Sequence, residues 1–324
     1  MELDCVCFTL IIDDIVFPDG TTCMAQLGGG GSQSLFGFQL VSGSKGLVGL
    51  AAGVGTDLPE SCKDWLYRIK ADTSGLILHS RQTPRAWQIF ESDGRRTQVY
   101  RHLGDPCDEL YEMLRPKVDD LPESYKHAKS YHIGIHPQHP PLSLLRTLRQ
   151  AAHAQGGLLS VEPYTASDSL LTSPHLGQLL SACDIFSPNE LEAESMVGRG
   201  SPQKNMMTLL DASPCDGAQT IVIRCGDKGA MAATRKGPSQ DSSIGFMLPA
   251  VEDTQVVDVT GCGNAFCGGF LASFIGKTGK AGDLLESLAW GSTAASFMAE
   301  EKGVPKMGVL QLKVCSMLSY HGMR

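Results

Sequence analysis

The residues that could do chemistry gather in one stretch, Val256–Phe270, which reads VVDVTGCGNAFCGGF. A β-branched pair, Val256-Val257, leads to Asp258, then Thr260-Gly261-Cys262-Gly263-Asn264, then an apolar run from Ala265-Phe266. The pattern predicts a strand, a glycine turn and a helix start. Glycines let the backbone take positive φ and come close to a ligand. Unpaired N–H groups at the helix N-terminus, with the positive end of its dipole, make an anion site. Asn264 stands in the first turn, within reach of a group held there. The chemistry implied is a phosphate or oxyanion cradle with one polar side chain beside it. A plain turn packed with small residues has the same pattern, and a lone G-x-G does not separate the two.

Other stretches carry weaker signals. Cys5–Ile12 is an apolar run of strand length that ends in Asp13-Asp14. Open α/β sheets bind ligands at the C-terminal edges of their strands, although two adjacent Asp also suit a solvated turn. Gly28-Gly29-Gly30-Gly31 precede Ser32-Gln33. Consecutive glycines are costly to order, so they imply close approach to a small ligand or a hinge. His132, His136 and His139 fall in H-I-G-I-H-P-Q-H, which invites a metal, but no fourth ligand stands near and the spacing fits a strand entering a proline loop.

These side chains need a frame. A turn is predicted at Pro18-Asp19-Gly20, a helix opening at Ser34–Leu40, a buried strand at Gly46–Gly55 and a helix at Glu60–Ile69. Trp87–Phe90 and Thr97–His102 flank Ser92-Asp93-Gly94-Arg95, the clearest hairpin signal in the chain. Such a hairpin does not join a parallel sheet easily, and so suggests a small separate sheet acting as a lid. From there strand and helix alternate. Helices are predicted at Asp108–Leu114, Pro141–Gln155, Leu170–Leu180, Glu190–Val197 and Gln203–Leu210. Strands are predicted at Ser130–Ile135, Leu158–Val161, Asp184–Phe186, Thr220–Arg224, Ala230–Thr234 and Ile244–Leu248. Helices Ala265–Ile275, Ala281–Glu300 and Gly308–Leu318 complete the chain, and Lys236–Ser243 reads as an exposed turn. Alternation of this kind means an α/β fold with a mostly parallel sheet covered on both faces.

Composition excludes several classes. The net charge is −8, with no basic block, which argues against nucleic acid or an anionic membrane as partner. No apolar stretch is long enough to span a bilayer, and the N-terminus lacks the pattern of a signal peptide. Eleven scattered cysteines with no C-x-x-C fit a reducing, cytoplasmic setting. A dinucleotide oxidoreductase is disfavoured because no G-x-G-x-x-G follows the first strand.

Five landmarks in order now bear a resemblance. Asp258-Val259-Thr260-Gly261-Cys262-Gly263-Asn264 is similar to the D-T-x-G-A-G-D signature of the PfkB carbohydrate kinases, in the ribokinase-like superfamily. Pro188-Asn189-Glu190-Leu191-Glu192 resembles their P-N-x-x-E segment, and Arg224-Cys225-Gly226-Asp227-Lys228-Gly229 their T-x-G-x-x-G turn. Gly28-Gly29 with Gln33 resembles their G-G-x-x-x-N loop, and Asp13 their sugar-binding Asp. Four glycines in a row, Glu162-Pro163 and G-N-A-F look most like the fungal MAK32-type branch.

The resemblance implies a ribokinase-like three-layer α/β/α sandwich, one domain over 1–324, with a small β lid from segments near 14–27 and 85–103. It implies ATP and Mg2+, and a sugar or sugar-like acceptor, with a nucleoside also compatible. By analogy, Gly261, Cys262 and Gly263 would give N–H groups to the transferring phosphoryl, beside Asn264. Asp13, Gly29 and Gln33 would hold sugar hydroxyls. Arg224, Gly226, Gly229 and Ser292 would lie along the nucleotide. Asn189 and Glu192 would organise Mg2+, largely through water. A homodimer through the lid is compatible with this arrangement.

The departures are as telling. The family's catalytic base is the last Asp of its signature, and here Asn264 stands there. Asn matches Asp in shape but takes no proton near neutral pH. Loss of a base typically slows a reaction ~10²–10⁴-fold, whereas phosphoryl transfer draws most of its acceleration from positioning and charge. Gln33 stands for Asn, one methylene longer, and Glu162-Pro163 stands where many members carry Asp. Two readings follow: a working kinase, or a pseudokinase that binds nucleotide or sugar. On the first, Asn264→Asp is expected to raise the rate.

Overall fold

The computed structural model describes residues 2–43, 46–92, 95–101, 107–235, 243–275 and 281–305, with backbone only at 107–109 and 281–282. The chain opens with strands β1 Cys5–Phe8, β2 Ile11–Val16 and β3 Thr22–Gly28, then α1 Gly30–Ser42, β4 Val48–Val54, α2 Glu60–Arg68 and β5 Leu76–Leu78. It continues with β6 Arg85–Phe90, β7 Arg96–Tyr100, α3 Cys107–Leu114, α4 Glu123–Lys126, β8 Tyr131–Ile135, α5 Leu142–Ala154, β9 Leu159–Pro163, α6 Ser173–Leu180 and β10 Ile185–Phe186. Last come α7 Glu190–Val197, α8 Pro202–Ala212, β11 Thr220–Arg224, β12 Ala230–Arg235, β13 Ser243–Leu248, α9 Cys262–Phe274 and α10 Ala281–Ala299.

The large sheet has the order β13-β12-β11-β10-β9-β8-β1-β4-β5. Its strands pair in parallel from β11 to β5, and β12 and β13 add antiparallel at one edge. Strand residues alternate between two cores, as pleating requires. Cys5 and Cys7 enter one core with Phe36 of α1, Phe270 of α9 and Leu288 of α10, while Val6 and Phe8 enter the other with Leu148 of α5, Leu179 of α6 and Leu209 of α8. This is the predicted sandwich.

The small sheet has the order β3-β2-β6-β7. β6 and β7 form the predicted antiparallel hairpin, and β6 adds to β2 in parallel. The expected turn at Asp93-Gly94, the strand end at His102, the turn at 236–242 and the last helix, 308–318, lie outside the described residues.

Several bounds move by one to four residues, and two stretches differ in kind, each for a local reason. The first apolar run is two strands, not one. Thr9 takes a φ of 89° and breaks it, so Asp13 and Asp14 sit inside β2 in the small sheet rather than at the edge of β1. Val256-Val257 is not a strand. Both valines are exposed, and the loop is tied down by the Val257 and Asp258 amides donating to Ala299 O. The β-branched pair imitated a strand without any neighbour to complete it.

What positions the site is the packing of α1 on α9. A side chain on Gly37 would overlap Ala265 O, and one on Gly268 would overlap Ser34 O. Backbone therefore meets backbone, the two helices run side by side in the same direction, and their first turns, at Gly30 and Cys262, come together. Two of the four glycines, Gly30 and Gly31, belong to α1 itself.

Candidate active site

The glycine turn forms as expected. Gly261 caps α9 at φ 80°, a left-handed conformation that favours glycine. Asp258 fixes the loop before it, accepting from the Thr260 amide at 2.9 Å and the Gly303 amide at 3.3 Å. Within the turn the Cys262 amide is directed at Val259 O, 3.3 Å away. Burial raises the Cys262 thiol to about 12, so it stays protonated.

Three charged or polar side chains close on this turn. Gln33, from the first turn of α1, lies where a Cβ on Gly261 would stand. Arg224, from the end of β11, lies where one on Gly263 would stand. Asn264 bridges from Gln33, 2.6 Å away, to Glu162 on β9. A carboxylate only accepts, so the Asn264 nitrogen faces it, donating to Glu162 Oε1 at 2.6 Å and Oε2 at 3.3 Å. Asn264 Oδ1 then meets the Gln33 amide.

Arg224 turns inward instead of along the surface. Nη1 pairs with Glu162 Oε2 at 2.9 Å; Nη2 pairs with Glu192 Oε2 at 3.2 Å and donates to Ser187 O at 2.8 Å. Burial alone would lower its pKa, but its neighbours Cys267, Glu162 and Glu192 raise it, so the cation is permanent. Glu162 feels the same opposition: burial pushes it up, and the charge of Arg224 with the His132 hydrogen bond outweighs that, holding it below the usual carboxylate range. For Glu192 burial wins, and its pKa rises to about 7 against the pull of Arg224 and the Asn189 amide.

Asn189 and Glu192 form a capping box at α7. Asn189 Oδ1 accepts from the Glu192 amide at 2.8 Å, and Glu192 Oε2 accepts from the Asn189 amide at 2.7 Å. That geometry leaves Glu192 Oε1 to carry a water. The donor set therefore fits a hard cation held through water, not one chelated directly.

Asp13 is buried in the small sheet, where Gln88 Nε2 donates to it at 2.8 Å. Burial lifts its pKa to about 7, opposed by Gln88 and the charge of Arg96 and reinforced by Asp258 and Asp14. The charge of Arg96 on β7 also lowers Glu192 slightly. Gly29 caps α1 at φ 87°, and a Cβ there would press on the Ile11 amide. Gly226 and Gly229 form the turn between β11 and β12, where a side chain on Gly229 would overlap Leu248 O. Ser292 is buried on α10. Among the described residues, the hydrogen-bonded cluster joins Gln33, Asn264, Arg224, Asn189 and Glu192, but not Gly226, Gly229 or Ser292.

Sequence reasoning gave Glu162 no role and missed how His132 is used. His132 Nε2 lies 3.1 Å from Glu162 Oε1, and its Nδ1 lies 3.1 Å from Ser160 Oγ. His136 and His139 do not converge on it; their rings pack on each other at 5.5 Å. The available signal was polarity at matched positions of buried parallel strands, since His132 pairs with Ser160 and Gly134 with Glu162.

A profile of the pfkB family carbohydrate kinases matches residues 21–307. The chain belongs to that family. A cytidine kinase of Thermococcus kodakarensis is 29% identical over 271 residues, covering 81% of this chain and 85% of that one. An uncharacterised protein of Schizosaccharomyces pombe is 27% identical over 319 residues, covering 91% and 83%. The solved ribokinase of Giardia lamblia superposes with a TM-score of 0.74 at 19% identity, over 96% of this chain and all of that one, and so shares the pfkB fold. Among the described residues no helix is long and apolar enough to cross a membrane.

Proposed function

We propose that this chain transfers the γ-phosphoryl group of ATP to a hydroxyl of a small sugar, sugar-like compound or nucleoside. One observation carries the reading: the glycine turn at the N-terminus of α9 is flanked by Arg224 on one side and by Gln33 of α1 on the other. Helix N–H groups and a fixed guanidinium are suited to the charge that develops on a transferring phosphoryl. The adjacent Gln33, Gly29 and Asp13 offer hydrogen-bonding groups to an acceptor.

In this reading Gly261 and Gly263 present their amides to the phosphoryl oxygens, and Cys262 does so less, its N–H being directed at Val259 O. Arg224 faces the same group through its contact with Gly263. Gly226, Gly229 and Ser292 lie along the rest of the nucleotide. Mg2+, held through water by Asn189 and Glu192, would neutralise the triphosphate when bound. The small sheet closes over the cleft, bringing Asp13 and Arg96 to the acceptor. Its outer strands, β3 and β7, are where a second copy would pair. The described cysteines are free thiols, which suits a reducing, cytoplasmic compartment.

A second reading, a pseudokinase that binds without turnover, draws on Asn264: its amide is engaged at both ends, by Gln33 and Glu162, and takes no proton. ADP release from Mg2+–ATP, measured across D-ribose, D-fructose, cytidine and adenosine, separates the two. Release that depends on one acceptor supports transfer and names the class. ATP binding with no acceptor-dependent release from any of the four supports the pseudokinase.

A further inference from the structure

Glu162 stands on β9 with 2% of its surface exposed. A carboxylate so buried is costly unless charges and hydrogen bonds surround it. Here they come from three other elements: Arg224 of β11 at 2.9 Å, His132 of β8 at 3.1 Å and Asn264 of α9 at 2.6 Å. Ser160 at 3.1 Å fixes the far side of the His132 ring. His132, Glu162 and Cys267 also lie close enough to hold a metal, but the guanidinium already on Glu162 Oε2 would repel a second cation.

The other side of Glu162 borders Gly30 of the glycine loop. A Cβ on Gly30 would stand 3.9 Å from Glu162 Oε1 and 3.8 Å from the Asn264 amide oxygen, the atom that also meets Gln33. Gly30 opens α1, so a ligand atom lying over it meets the carboxylate and the Asn264 amide together. The contact between those two also constrains what position 264 can be. An Asp there would set two carboxylates in hydrogen-bond contact, and such a pair cannot both stay ionised.

We propose that Glu162 is the catalytic carboxylate of this site and that Asn264 is its positioning partner, the charge standing on β9 and the amide on α9. The proposal rests on the phosphoryl-transfer reading above. The acceptor hydroxyl displaces the Asn264 N–H from Glu162 Oε1. Its oxygen lone pair forms the new O–P bond while its proton passes to Oε1. The bond from the γ-phosphorus to the bridging oxygen breaks, its electron pair leaving with ADP, and the proton on Glu162 is then released to water. In a loose transition state the hydroxyl turns acidic only as the O–P bond forms, so a carboxyl held below its ordinary pKa suffices. On this account Asn264→Asp lowers the rate, against the expectation from sequence.

Four proteins test it: wild type, Glu162→Gln, Asn264→Asp and the double variant. Each is assayed with Mg2+–ATP on cytidine and on D-ribose, and each is melted between about pH 5 and about pH 8. Glu162→Gln should lose ~10²–10⁴ in kcat with little change in acceptor KM. The double variant, with a carboxylate restored beside an amide, should regain at least about tenfold over Glu162→Gln. Asn264→Asp alone should lose activity and melt progressively lower than wild type as pH rises, a loss the double variant relieves. A Glu162→Gln kcat within about threefold of wild type, or a folded double variant no more active than Glu162→Gln, overturns the proposal. Wild type inactive on both acceptors counts against the phosphoryl-transfer reading instead. The pairing is then judged on melting alone, and additive, pH-independent effects of the two substitutions overturn it.

Discussion

Two arginine–carboxylate clusters, one in each sheet, use the same groups and end in opposite states. In the small sheet one acid meets two guanidiniums. Asp14 takes Arg85 Nε and Nη2 at 2.7 Å each, Arg101 Nη1 at 2.6 Å and the Ala25 amide at 2.9 Å. Burial alone would raise its pKa, but those bonds lower it. In the large sheet one guanidinium meets two acids. Arg224 Nε has no partner among the described residues, Glu162 shares an oxygen with the Asn264 amide, and Glu192 is lifted to about 7. The first cluster is closed and fastens β2 to β6. The second keeps an unused donor and a displaceable amide beside the glycine turn, as the proposed phosphoryl site requires.

Substitutions can break this comparison, and the largest effect is expected at Arg224. Arg224→Met leaves two buried carboxylates without their cation, which typically costs ~3–5 kcal/mol. Chemical denaturation should show that loss together with loss of turnover, and unchanged stability would mean that the large-sheet cluster is not buried as described. Asp14→Asn should cost less, about 1–3 kcal/mol, because the Arg85 and Arg101 side chains, 31% and 43% exposed, can turn to water. Its kcat should stay within about threefold of wild type; a collapse in kcat at unchanged stability would place the closed cluster in the chemistry.

The smallest effect is one of pH. Asp13 binds its proton more tightly in the fold, where burial lifts it from 3.8 to about 7, than in the unfolded chain. A carboxyl raised in this way stabilises fully below its unfolded value, and the contribution is lost as pH rises through about 7. Melting temperatures should therefore fall between about pH 5 and about pH 8, and Asp13→Asn should flatten that slope. A slope unaltered by the substitution would assign it to another group.

Much of the frame is legible in the sequence. Thr220–Arg224 and Glu190–Val197 form with the bounds that their patterns imply, because buried strands and capped helices carry local signals. The break at Thr9 is not legible, since nothing marks a β-branched residue for positive φ; the need to send β2 into the second sheet imposes it. At the site, the glycine turn and the Asn189–Glu192 box are local motifs and were readable. Glu162 was visible only as the residue after a predicted strand, at a place where many family members carry Asp. Its meaning depends on His132, Arg224 and Asn264, which three other elements bring to it across the sheet, and no local pattern contains that.

The most direct test of the account is a crystal structure with Mg2+, a non-hydrolysable ATP analogue and the acceptor that supports turnover. The account predicts the γ-phosphate against the amides of Gly261 and Gly263 with Arg224 beside it. It also predicts the acceptor hydroxyl about 3 Å from Glu162 Oε1, with the Asn264 amide turned aside. An acceptor hydroxyl placed well away from Glu162, or a γ-phosphate bound elsewhere than the glycine turn, would contradict it.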